Sequence, residues 1–432
     1  MNLRLTTLLK SWLPLALLVT LPSLSAENWP NWRGPTANGV APGSGYPLKW
    51  STEENIIWKY QLPGIGASTP IIWEDRIFVT GESGGMTSVL CLDRSGAKQW
   101  ETSLDSEKAA RNRGASGSNP SPITDGTHVF AYYKSGMFAC LDMKGTVTWK
   151  KNLQELYGKD TLWWDLGTSP VLTRDLVVVA CMHSGSSYLV GFEKATGKVV
   201  WNQARDLKAP GESAQSYTTP VVLTVDDKQL IIVLGADHVT AHDAVTGKQI
   251  WVAGNLNPGS AGNWRSISSP VVSDGLVIAP YARGRTLTAI KLGGQGDVTG
   301  SHVAWTEGPS ADVPTPVATN GKVFICTDRG RVIVSDIKTG KAIAELQLPG
   351  SRSSCWSSPI LANGHLYVTN QAGTTYVLKV GDKLELVAEN KLADYTIATP
   401  VMLDGRIYLR TDRHLHCIGT KTPAEEKKQD SK

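Results

Sequence analysis

The chain has 432 residues, with 42 glycines, 23 prolines and 15 tryptophans, and a formal net charge of +4. A balance so near neutrality gives no general electrostatic case for nucleic acid or an anionic membrane. Abundant glycine and proline suit short strands joined by many turns.

Residues 1–26 read as a secretory signal. Arg4 and Lys10 give the positive start, Leu13 to Leu21 the apolar stretch, and Ser23-Leu24-Ser25-Ala26 the small residues for cleavage. The apolar run is well short of the roughly 20 residues that span a bilayer, and no cysteine follows it to carry a lipid. Removing this segment takes away two positive charges, leaving +2. The mature protein is expected to be soluble, monomeric, periplasmic or secreted, with no membrane span. Residues 27–53 form an extension rich in Gly, Pro and Asn, with Trp29 and Trp32 as anchors. Residues 420–432 are charged and lack aromatic residues, which predicts a disordered tail.

Between them, residues 54–419 repeat one pattern eight times: a hydroxyl residue, a proline and an apolar run. The copies begin at Thr69, Ser121, Ser169, Thr219, Ser269, Thr315, Ser358 and Thr399, and successive copies lie 41 to 52 residues apart. Such a period overrides the two or three domains that the length alone suggests, because stacked repeats form one body. Each unit parses into four short strands, a to d. In the fourth, strand a starts at Pro220, strand b covers 229–234, strand c 239–242 and strand d 248–252. The a–b turns recur as Asp125-Gly126, Asp274-Gly275, Asn320-Gly321, Asn363-Gly364 and Asp404-Gly405, the strongest short hairpin signal, in which both turn residues take positive φ. No segment between strands has a helical period. The expected fold is all-β, an eight-bladed propeller of four-stranded antiparallel blades.

Strand d carries Trp100, Trp149, Trp201, Trp251 and Trp305, four of them four residues after a glycine. These tryptophans, with Trp58, are expected to dock each blade on its neighbour. The eighth unit lacks strand d, and residues 55–62, with Trp58, are expected to supply it and close the ring. The hydroxyl before each proline is expected to bond backbone within its own blade. The six cysteines show no CxxC spacing and read as buried thiols, although an exported compartment permits a bridge. Gly294-x-Gly296 is expected to be a c–d turn with no helix after it.

The segments Ala241-His-Asp-Ala-Val-Thr-Gly-Lys-Gln-Ile-Trp251 and Gly191-Phe-Glu-Lys-Ala-Thr-Gly-Lys-Val-Val-Trp201 resemble the pyrroloquinoline-quinone (PQQ) repeat, and the resemblance covers about residues 50–419. It implies an eight-bladed propeller locked by tryptophans, and two kinds of relative. One is non-catalytic, similar to the BamB-like group of outer-membrane assembly factors (separately, the start Asn28-Trp-Pro-Asn-Trp-Arg-Gly-Pro35 looks like that of exported PQQ-like repeat proteins whose roles are mostly unassigned). The other is the quinoprotein alcohol dehydrogenases, which bind PQQ with calcium. The adjacent cysteine pair and the calcium ligands of the enzymes have no counterpart that can be placed here, and the lipid-anchor cysteine of the assembly factor is missing.

Tight a–b and c–d turns share one face of a propeller; longer d–a and b–c loops share the other, where a site on a rigid scaffold is expected. The d–a loops hold Arg111, Arg113, Trp163, Trp164, Asp165, Tyr217, Trp264, Arg265, Arg352, Trp356 and Tyr395. The b–c loops add Lys134, His183, Asp237, His238, Arg283, Arg285, Arg329, Asp412 and Arg413. Arginine and tryptophan are the residues of protein-binding hot spots and anion pockets. The partner-binding face is therefore assigned to Arg113, Trp164, Asp165, His183, Tyr217, Trp264, Arg265, Arg283 and Trp356, with a protein, peptide or polysaccharide as partner. No catalytic residue, metal or cofactor is expected. The alternative is a quinoprotein oxidoreductase holding PQQ and calcium at the channel mouth, with Trp264–Arg265 or Trp164–Arg113 against the quinone. Arg265 and Arg283 are expected to pair with Asp165 or Asp312.

Overall fold

The computed structural model describes residues 28–111, 115–350 and 353–420. The expected signal segment, the expected disordered tail beyond residue 420, Arg113 and Arg352 lie outside the described residues.

Eight antiparallel sheets, one per repeat, stand around a central channel. Inner strands are sandwiched between neighbouring blades on both faces, so they read as unbroken apolar runs; Val177, Val178, Val179 and Ala180 are all fully buried. Outer strands alternate, as Ala342–Gln347 does. Blade 4 comprises Val221–Val225, Lys228–Gly235, His238–Asp243 and Gln249–Ala253, within a residue or two of the sequence parse. In blade 8, Ile56–Gln61 pairs antiparallel with His414–Ile418, placing Trp58 opposite Cys417. The N-terminal strand thus closes the ring.

Blade contacts follow one geometry. The indole N–H of Trp58 donates to Arg94 O (2.9 Å), Trp100 to Met143 O (3.2 Å), Trp149 to Lys194 O (2.8 Å) and Trp305 to Ile337 O (3.0 Å), each in the c–d turn of the next blade. The glycine of that turn has positive φ and no room for a Cβ: at Gly96 one would lie 2.7 Å from Trp58, and at Gly145 2.6 Å from Trp100. Glycine is required there twice over, by backbone and by contact. Trp201 packs on Gly247 in the same way, but its N–H and that of Trp251 have no partner. A β-bulge falls beside the tryptophan position in all eight c–d pairs, including the two blades without tryptophan. Bulges twist a strand and re-aim its side chains, here toward the next blade.

Several expectations need correction. The anchor hydroxyls do not bond within their own blades. Thr69 N donates to Ser121 Oγ, Ser121 N to Ser169 Oγ, Ser169 N to Thr219 Oγ1, Thr219 N to Ser269 Oγ, Ser269 N to Thr315 Oγ1, Thr315 N to Ser358 Oγ and Thr399 N to Thr69 Oγ1, at 2.9–3.1 Å. The bonds run between blades, all in one rotational sense. Proline next to each hydroxyl residue holds that residue extended, and its missing N–H costs nothing on an innermost strand. Positive φ at both Asx-Gly positions holds at 274–275, 320–321, 363–364 and 404–405, but at 125–126 only Gly126 has it. Asp125 instead accepts from the Thr127 and His128 amides. Gly296–Asp297 adds a parallel strand to the outer edge of blade 4, and a four-residue helix, Thr299–His302, follows.

All six cysteines are free and buried. The Cys355 thiol beside it, together with burial, pushes the Cys326 thiol up.

His242, in blade 4, is buried among backbone: Nδ1 lies 2.9 Å from Gly247 O and Nε2 3.0 Å from Thr240 Oγ1. A carbonyl only accepts, so Nδ1 carries the proton and Nε2 accepts from the hydroxyl. Burial pushes this imidazole down to about 4, against about 6.5 unfolded. The neutral ring's stabilising contribution is therefore fully present above about pH 6.5 and is lost as pH falls toward 4, on the order of 3 kcal/mol in all. Urea midpoints of wild type and His242→Gln between pH 7 and 4.5 test this. The variant is expected to lose less stability on acidification; equal slopes would count against it.

Candidate functional site

The extension enters the channel from the face of tight turns. Trp29 is fully buried and bridges to Ile72 in blade 1; Val40–Ala41 pairs parallel with Leu361–Ala362 in blade 7. Between them Trp32 and Arg33 reach the level of the prolines. The Trp32 indole donates to Thr399 Oγ1 at 3.0 Å. Arg33 is buried without a carboxylate; Nη1 donates to Pro359 O and Nη2 to Pro316 O, each at 3.0 Å. A cavity of about 450 Å³ remains beside the extension, lined mainly by Pro122, Pro170, Pro220 and Pro270 with their apolar neighbours.

On the opposite, long-loop face Trp32 floors a depression of about 190 Å³ walled by Trp164, Asp165, Tyr217, Ile267, Val313, Trp356 and Ile397. Its loops are braced against one another. Asn152 caps the helix Leu153–Tyr157, its Oδ1 accepting from the Gln154 and Glu155 amides, and that helix leads into the Trp163-Trp164-Asp165 loop. The next two d–a loops run side by side, with Tyr217 N donating to Ser266 O (2.8 Å) and Ser266 N to Gln215 O (3.2 Å).

Asp165 is nearly buried and forms an ion pair with Lys134; it also accepts from Arg111 N at 2.9 Å. It does not pair with Arg265. Trp164 N donates to Tyr217 Oη (3.0 Å), and its indole N–H donates to Glu212 Oε1 (2.6 Å). The Arg265 guanidinium lies 5.5 Å from the Trp164 ring centroid. It pairs with Asp312 at 3.2 Å and Glu212 at 3.5 Å, and Arg283 reaches Asp312 at 3.9 Å. Burial pushes the Asp312 carboxyl up against these arginines; behind it, burial raises Asp328 to about 6.

The mouth therefore gathers Trp164, Asp165, Tyr217 and Trp356, with Arg265 beneath Trp164. Arg283 stands farther out. Trp264 is not in the mouth, and Arg285 lies 6.0 Å from its ring. His183 is buried behind the loop: Nδ1 accepts from Gly185 N (3.1 Å) and Thr161 N (3.3 Å), and burial pushes its imidazole down. It braces the loop and does not face the depression. Sequence reasoning missed Glu212, which neutralises Arg265 and orients Trp164, and missed the entry of Trp32 into the channel. The aromatic Asn-Trp-Pro-Asn-Trp start was visible, but nothing local says that it turns inward. Trp163 (55% exposed), Trp164 (41%) and Trp356 (38%) stand in solvent on this one face. No helix among the described residues is long and apolar enough to cross a membrane.

The fold is shared with known structures. BamB from Moraxella catarrhalis superposes with a TM-score of 0.60 at 17% identity, over 85% of this chain and 97% of that one. A quinohemoprotein alcohol dehydrogenase from Comamonas testosteroni gives 0.62 at 12% identity, over 91% and 81%. A europium-containing methanol dehydrogenase gives 0.64 at 12% identity, over 88% and 89%. At these identities the likeness is one of fold. No curated protein matches the chain significantly. A family model described as outer membrane protein assembly factor BamB matches residues 48–187 and 139–383, and with most of its propeller so covered the chain belongs to that BamB-like family of PQQ-type repeat propellers.

Proposed function

We propose that the protein is an exported, non-enzymatic scaffold that binds a protein or peptide segment on the long-loop face, at the mouth ringed by Trp164, Tyr217 and Trp356. The observation that carries this reading is the exposure of Trp164 and Trp356 around one depression whose described wall contains no arginine. Large aromatic surface left in water on a rigid rim suits a partner's apolar side chains, whereas Arg265 and Arg283, committed to Glu212 and Asp312, are poor anion receptors. The family's description as an assembly factor supports a protein partner over a polysaccharide.

A tricarboxylate quinone fits the described residues poorly. The depression is smaller than the roughly 300 Å³ at which small-molecule pockets begin, Trp32 occupies the channel beneath it, and no adjacent cysteine pair exists. The test has two arms. Titration with PQQ and calcium, read by absorbance and dye reduction, is expected to show no saturable binding. Cross-linked partners from an envelope fraction are expected to fall by about tenfold or more in a Trp164→Ala/Trp356→Ala variant, as loss of paired hot spots implies. Equal recovery by both proteins would reject this face.

A further inference from the structure

On the same face, but out at the seam of the ring, the fold assembles a group that no local sequence pattern displays. His414 and His416 are alternate residues of strand c in blade 8, so their side chains share one side of the sheet; the ring centroids are 5.8 Å apart. Asp394 arrives from the d–a loop entering that blade. Its Oδ2 lies 2.8 Å from His414 Nδ1 and accepts from Thr411 Oγ1 at 2.7 Å. One ligand-type atom from each of Asp394, His414 and His416 falls within 4.8 Å of the other two.

Two further observations point to a missing ligand. His416 is only 4% exposed, yet neither ring nitrogen has a hydrogen-bond partner. Leaving a buried polar group unsatisfied is costly, and two idle nitrogens on one imidazole are unusual. The carboxyl of Asp412 lies against that of Asp394, and its Oδ1 is buried and unpartnered. A cation among them would satisfy the idle imidazole nitrogens and draw the crowded carboxylates together.

We propose that Asp394, His414 and His416 form a binding site for a divalent first-row transition ion of the zinc class. Two imidazole nitrogens and a carboxylate oxygen suit zinc, cobalt or nickel, whereas calcium and magnesium take oxygen-only shells. Three protein ligands leave a coordination position for water or a partner's side chain. The ion has a way in, because Asp394 and His414 are partly exposed and Asp394 lines an open groove with Gln371 and Tyr395. Along the chain no acidic cluster announces a metal site; Asp394 and Asp412 meet the two histidines only in space.

The test uses the full mature chain, stripped with chelator and titrated with Zn²⁺ by calorimetry and with Co²⁺ by visible absorbance. The expected result is saturable binding of one Zn²⁺ and d–d bands from Co²⁺ in a nitrogen–oxygen shell. Affinity is expected to fall at least about tenfold in Asp394→Asn, His414→Ala and His416→Leu, and to be unchanged in His302→Ala, on a different blade. If His416→Leu does not fold, the two partly exposed positions carry the test. Absence of saturable Zn²⁺ binding, or equal affinity in wild type, Asp394→Asn and His414→Ala, would overturn the proposal.

Discussion

Deletion of residues 54–62 is expected to make the protein aggregate or fail to fold. Those residues are the outer strand of blade 8, and without them the edge at His414–Ile418 lies open for pairing with another chain. The deletion also removes Trp58, whose ring packs against Gly96 and whose N–H reaches Arg94 O. Loss of a fully buried tryptophan costs about 3–5 kcal/mol, loss of the partly buried Trp58 less than that, and a domain's whole stability is about 5–15 kcal/mol. Losing strand and indole together takes most of that margin. Size-exclusion chromatography and a circular-dichroism melt decide the matter, and an unchanged melting curve would remove the case for closure by the N-terminal strand.

The second large effect is expected at the mouth. Lys134→Met removes the ammonium that pairs with the Asp165 carboxylate, whose side chain is 3% exposed. Breaking a buried pair from one side costs about 3–5 kcal/mol, because a desolvated charge remains. Asp165→Asn is expected to lose a similar amount, now stranding Lys134. The two changes together should cost clearly less than their sum, since no charge is left unpaired. Urea denaturation of the three variants measures this, and strict additivity would show that the pair is not coupled. Asp165 also accepts from Arg111 N, and it follows Trp164 in the chain. The Lys134 variant should therefore weaken partner capture as well, although Lys134 does not line the depression.

The sequence makes the blades legible because the blade is a local object. An anchor proline, an Asx-Gly turn, a tryptophan at fixed spacing from a glycine and an apolar run are each written within a few residues, and their recurrence along the chain makes the pattern secure. Even the orphan strand at Trp58 was readable, because it matched a vacancy at the other end. What could not be read is set by contacts between residues far apart in the chain. The anchor hydroxyls bond across blades, about 50 residues away, where sequence gives no direction. Glu212 looks like any loop glutamate until the neighbouring loop puts Arg265 beside it. Trp32 and Arg33 enter the channel because carbonyls at Pro316 and Pro359 and the Thr399 hydroxyl meet them there. The His414-x-His416 pair had a faint signal, two imidazoles on one side of a strand, but Asp394 lies 20 residues upstream in another loop.

The one-way run of amide-to-hydroxyl bonds around the channel works as a hub gauge. Each link spans a single N–H···O reach, so neighbouring anchors are held at one spacing, and the circumference admits a fixed number of units. Gaining or losing a unit would strain this run of seven bonds, whose remaining anchor hydroxyl, on Thr399, takes the Trp32 indole, whereas changes at the periphery leave it whole. The chain bears the mark of this division. The sixth unit has Ala344 where tryptophan would stand and the seventh has lost both tryptophan and its glycine, yet both keep the hydroxyl and proline at the axle. The rim of the wheel differs from unit to unit, and the hub keeps the count.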